Sequence, residues 1–152
     1  MRPALLAAAI LLVACGSDEA ADSAVIDSTP AAPPALTAAD VTGTWNYEVR
    51  GMGSDSIIAT GQTVVGGDPL SVTQTATGGE PATGTISITG DAVSTQVGPY
   101  PSALRPGVMV TTSGTYRMVE GDMVGTTTAR YTGVTTADSV VELRVRMTRA
   151  PE

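Results

Sequence analysis

Few side chains in this sequence can carry covalent or acid–base chemistry. Its 152 residues hold one cysteine, Cys15, and no histidine, and all eight basic residues are arginine. Triads built on an imidazole base are therefore excluded, as are lysine nucleophiles and histidine metal ligands. The carboxylates Asp68, Glu80, Asp91, Glu120 and Asp122 fall in glycine-containing turn sequences, where solvated acids are ordinary turn chemistry. "VEGDM" lacks the spaced carboxylates of a calcium loop. Glu48 and Glu142, a conceivable hydrolytic pair, sit on the polar faces of their segments. Serine and threonine hydroxyls abound, but none stands in a nucleophile elbow or an S-x-x-K context. The chain is expected not to be an enzyme and to need neither cofactor nor metal. Its formal charge of −7 also removes the electrostatic footprint of a nucleic-acid binder. The reactive group that remains is the Cys15 thiol, which has no second cysteine to pair with.

The setting of Cys15 suggests its use. Arg2 is followed by an apolar run over residues 4–14. Eleven residues at ~1.5 Å each reach about half a bilayer core, too short for a stable membrane span, so a secretory signal is the expectation. The run ends in Leu12-Val13-Ala14-Cys15, which resembles the lipobox of bacterial lipoproteins. That resemblance implies diacylglyceryl transfer to Cys15, cleavage before it and acylation of the new amine. Two or three acyl chains hold a protein durably, at ~0.8 kcal/mol per buried methylene. Gly16 and Ser17 follow, without the aspartate that favours inner-membrane retention in enterobacterial lipoproteins. The expected address is the outer membrane, facing the periplasm.

Residues 15–40 carry Asp18, Glu19, Asp22, Asp27 and Asp40 against no basic residue, with Pro30, Pro33 and Pro34 among alanines and serines. Low hydrophobicity with charge of one sign predicts a disordered tether, spanning ~25–30 Å on average. The folded domain is expected over residues 41–150.

There the pattern switches to period two. "TWNYEVR" sets Trp45, Tyr47 and Val49 against Thr44, Asn46, Glu48 and Arg50. "VVELRVRMTR" sets Val141, Leu143, Val145 and Met147 against Glu142, Arg144, Arg146 and Thr148. These are half-buried antiparallel strands. Weaker candidates lie near 56–65, 70–76, 83–89, 92–97, 108–119 and 122–131, separated by "GGDP", "GGEP", "TGD", "GPYP", "RPG" and "EGD". The expected fold is all-β, an antiparallel up-and-down barrel of about eight strands. In "TGT", "TGT" and "SGT", Gly43, Gly84 and Gly114 precede Trp45, Ile86 and Tyr116 by two residues, a small-then-large alternation suited to a curved wall.

Gly43-Thr44-Trp45 at the head of the first strand resembles the G-x-W signature of lipocalins and related calycins. The resemblance implies an arginine from the end of the chain packing over the tryptophan to close one end of the barrel, and Arg149 has the position for it. Gly43, Trp45 and Arg149 are thus the expected closure. The domain is shorter than a typical lipocalin, no C-terminal helix follows Arg149, and the layout is closer to compact lipocalin-like envelope domains.

The inward set is expected to be Trp45, Tyr47, Val49, Leu70, Val72, Ile86, Ile88, Val110, Tyr116, Met118, Met123, Tyr131, Leu143, Val145 and Met147. Two functions follow. A lipid-anchored barrel binds a small apolar ligand, with Trp45, Tyr47, Tyr116 and Tyr131 as candidate contacts, or engages an envelope partner. Alternatively, a filled barrel serves as a docking component of an envelope assembly. Residues 98–107, the longest well-marked connection, either cover a ligand mouth or form a proline-stiffened crossover. Interior volume separates the readings, since ligand sites occupy ~300–1,000 Å³.

Overall fold

The computed structural model describes residues 34–134 and 139–151. The apolar N-terminal run, Cys15 and the linker up to residue 33 lie outside the described residues.

Eight strands follow one another: β1 (Gly43–Gly51), β2 (Ile57–Gly66), β3 (Ser71–Ala76), β4 (Pro81–Thr89), β5 (Ala92–Pro101), β6 (Met109–Val119), β7 (Asp122–Thr132) and β8 (Val140–Arg149). Each pairs antiparallel with the next, and β8 returns to β1, closing the barrel. This is the up-and-down barrel read from the alternation. Closure removes the unpaired edges that a meander of this size would otherwise expose. Because strands alternate in direction, the chain enters at one end, the base, where the β2–β3, β4–β5 and β6–β7 loops lie. The other four loops surround the opposite end, the mouth.

The alternation places Trp45, Tyr47 and Val49 of β1 inside with Leu143, Val145 and Met147 of β8. Outward positions are mainly threonine, serine and arginine. Three of the expected core residues, Leu70, Ile88 and Met118, are half-buried and pack on the core from near the base rim. Val65, Val93, Val97, Ala82 and Ala129 fill interior positions that the hydropathy pattern did not single out, and Thr63 and Thr127 are buried among them.

Glycines allow the wall to bend and the large rings to lie flat. A Cβ at Gly114 would overlap the Tyr116 ring, and one at Gly61 would overlap the Tyr47 ring and the Thr75 carbonyl. A Cβ at Gly84 would run into the Gln96 carbonyl of the neighbouring strand. Aromatic rings therefore cover the bare backbone of glycines, on their own strand or across from it.

β5 runs four residues beyond its expected end. The register shifts between Val97 and Tyr100, at Gly98, whose φ of +107° suits glycine. The bulge lets the strand resume at Tyr100, which pairs with Val110.

Packing begins ahead of Val41. The Leu36 N–H donates to the Gly90 carbonyl at 2.8 Å, and its side chain packs on the core. A single helical turn, α1 (Ala38–Val41), follows. The Asp40 carboxylate reaches back to accept the Thr37 N–H and hydroxyl, each at 2.7 Å. These bonds satisfy groups a helix start leaves open and hold the Asp40 carboxyl below its usual range, with the Thr37 hydroxyl the larger cause and Arg149 a lesser one.

Candidate functional site

At the base, Trp45 is fully buried and pairs in register with Arg149. The guanidinium carbon stands 4.4 Å from the centre of the indole. Arg149 also donates to the Thr42 carbonyl at 3.0 Å and the Asp40 carbonyl at 2.6 Å. The indole N–H donates to the Val41 carbonyl at 2.8 Å, and Val41 is fully buried. Gly43 has a φ of +128°, and a Cβ there would lie 3.1 Å from the guanidinium, so this position suits a residue without a side chain. Gly43, Trp45 and Arg149 thus meet, the contact that the resemblance implied. Trp45 does not line the cavity at the other end, where the other three expected contacts, Tyr47, Tyr116 and Tyr131, stand.

At the mouth, all four tyrosines of the chain converge. Tyr47, Tyr100, Tyr116 and Tyr131 line one cavity of about 70 Å³, with small neighbours Ala59, Ala76 and Ala129. β1, β5, β6 and β7 each supply one ring. Tyr100 was missed from sequence because it follows Gly98-Pro99 and reads as loop. The bulge that returns it to the wall has no signal beyond that glycine.

Burial disfavours the phenolate form of Tyr47, Tyr100 and Tyr116. Burial pushes the Tyr47 hydroxyl up to about 12, with Tyr100 and Tyr116 adding to the effect. Burial also raises Tyr116, against the opposing pull of hydrogen bonds with Thr95 and Thr127. Tyr100 is raised in the same way, against a hydrogen bond with Thr112. The cavity lining has no charged side chain, so it presents neutral donors and acceptors set among apolar surface.

Residues 102–108 cover this cavity. Ser102 Oγ accepts the N–H groups of Leu104 and Arg105, the Ser102 N–H donates to Val108, and Val108 donates to Arg105. These bonds tie the loop to itself. Arg105 lies over the Tyr131 ring at 4.2 Å, and Ser102, Ala103 and Leu104 face the cavity.

The outer wall of β7, β8 and β1 carries charge. Arg50 pairs with Glu48 at 2.8 Å, Arg146 with Asp122 at 2.6 Å, and Arg144 with Asp55 at 3.1 Å and with the Ser54 carbonyl. Glu48 and Glu142 both belong to this outer face, separated from the cavity by the wall. The three ion pairs balance one another in charge and are solvent-exposed, which makes each a small contributor to stability. Compared with protein-family models, curated proteins and solved structures, the chain has no match.

Proposed function

We propose that the chain is a lipid-anchored protein of the bacterial cell envelope, held by acyl chains on Cys15, whose filled barrel acts through its outer surface. The observation that carries the surface-acting part is the interior volume. About 70 Å³ accommodates a few water molecules, several-fold less than a site for a lipid or a drug-sized ligand. Trp45, Met123, Met147 and the valines occupy the rest of the core. The lipobox-like Leu12-Val13-Ala14-Cys15 supports the anchor, and Gly16-Ser17 supports export to the outer membrane.

Convergence of four tyrosines favours a second reading, in which a small uncharged molecule enters beneath residues 102–108. Native mass spectrometry of protein extracted from membranes separates the two. The expected mass is that of the acylated chain alone. A stoichiometric small molecule lost on Tyr116→Ala would replace the surface-acting reading with the ligand-binding one. The anchor has its own test. Fatty-acid labelling should be strong in the wild type and absent in Cys15→Ser, and equal labelling would sink it.

A further inference from the structure

Of the nine large apolar side chains left exposed among the described residues, six are gathered at one end, while Val64, Val119 and Val124 lie toward the other. Met52, Ile57, Ile58, Leu104, Met109 and Val140 are each 41–54% exposed. Met52 and Leu104 lie in mouth loops, Ile57 and Ile58 open β2, and Met109 and Val140 open β6 and β8. All six therefore rim the mouth. Ile57 and Ile58 stand clear because β3 pairs with β2 only from Gly61 onward, leaving the start of β2 above the short β3–β4 hairpin. Loop carboxylates stand at both ends. Asp68, Asp91 and Glu120 occupy the three base loops, and Asp40 lies beside them in α1. Among the described residues the mouth loops carry only Asp55 and Glu80, with Arg105 as a counter-charge.

An apolar rim of this extent calls for a partner. The barrel wall lacks the apolar band of a membrane-spanning barrel, since its outward residues are mainly threonine, serine and arginine. We infer that the apolar collar around the mouth rests on the surface of the membrane that anchors the chain. The inference rests on the acyl-anchor reading of Cys15.

Two arguments select lipid as the occupant. The eighteen residues between Cys15 and Pro34 extend to at most ~60 Å, about twice the ~34 Å of a ten-residue strand. A chain entering at the base therefore leaves the mouth free to turn toward the lipid. Anchoring also raises the local concentration of lipid at the collar, so contacts too weak to recruit a soluble protein suffice for one already tethered.

The test uses the full acylated protein, reconstituted into phosphatidylethanolamine–phosphatidylglycerol vesicles with plain or brominated acyl chains. Leu104→Trp places a second indole at the mouth, and Val119→Trp places one at the base, where Val119 is also exposed. Buried Trp45 is a common background. Both variants are expected to float with the vesicles, with bromine quenching several-fold stronger for Leu104→Trp than for Val119→Trp. Adding Ile57→Asp and Ile58→Asp to Leu104→Trp is expected to abolish the difference. Flotation without preferential quenching at position 104 overturns the collar contact and leaves the anchor standing. Concentration-dependent dimerisation that shields position 104 from the bromine overturns it in favour of a protein interface. Failure to float overturns both readings.

Discussion

Arg149 is solvent-exposed, yet it ties three parts of the base together. Its guanidinium covers the indole of Trp45 while donating to the carbonyls of Asp40 and Thr42, so one side chain links β8, β1 and α1. Lysine would bring the charge without the flat fork that does both. Trp45→Ala is expected to cost ~3–5 kcal/mol as a truncated core aromatic, and Arg149→Ala ~1–2 kcal/mol through the lost stack and unpaired carbonyls. Denaturant unfolding of the two single variants and the double variant should show coupling above ~0.5 kcal/mol, and additivity would refute the contact as an energetic unit. Thr63 makes the opposite case. Its hydroxyl is buried opposite Trp45 in the β1–β2 register and has no hydrogen-bond partner among the described residues. Thr63→Val removes an unpaired polar atom at nearly constant shape and should raise stability by ~1 kcal/mol. A loss in denaturant midpoint would show that the hydroxyl is paired after all. The Trp45–Arg149 meeting was legible because both residues lie in strongly alternating strands whose faces can be counted by twos. Tyr100 was not, because a bulge resets the count before it.

At the scale of elements, the strands were easier to read than their inner faces. Turn sequences mark five of the seven connections, so most strands emerge close to their observed limits, with β5 the exception. Inward positions are harder where threonine and glycine alternate with valine. In "TVVG" the doublet Val64-Val65 leaves the phase open, and only Val65 faces inward. In β7 the inner face runs Met123, Gly125, Thr127, Ala129 and Tyr131, so hydropathy gives little contrast between Thr127 inside and Thr126 or Thr128 outside. What decides the matter is fit between neighbours. A Cβ on Gly125 would collide with the Thr115 carbonyl and the Tyr116 Cα across the β6–β7 pair, atoms that move only with the strand. Gly125→Ala should therefore destabilise by ~1–3 kcal/mol, while Thr126→Ala on the exposed face of the same strand should stay within ~0.5 kcal/mol. Thermal unfolding of the pair distinguishes them, and equal midpoints would mean the wall is more compliant than the close approach implies. Residues 102–108 illustrate the remaining ambiguity. Proline and glycine announced a long loop, but its position across the mouth depends on Arg105 and Tyr131 meeting, and no local pattern encodes that contact.

For the whole molecule, a closed barrel couples the ends, so chemistry at the mouth is felt as global stability. The tyrosine cluster makes this testable by pH. Tyr47 is shifted from its ordinary value of 10.0 to about 12, and Tyr100 and Tyr116 move upward with it, each chiefly because burial disfavours the phenolate. In the unfolded chain these phenols release protons near pH 10, while in the folded barrel they hold them to higher pH. Between those limits the folded state binds more protons, so stability falls as pH rises. The contribution is complete below about pH 10 and is lost progressively as pH climbs toward 12. Denaturant midpoints should accordingly be flat across neutral pH and drop on the alkaline side. Tyr47→Phe removes one of the raised groups. Its phenyl ring still covers Gly61, so the variant should remain folded at neutral pH and show a shallower alkaline decline than the wild type. Equal alkaline declines in Tyr47→Phe and the wild type would show that the Tyr47 phenol is open to solvent in the folded barrel.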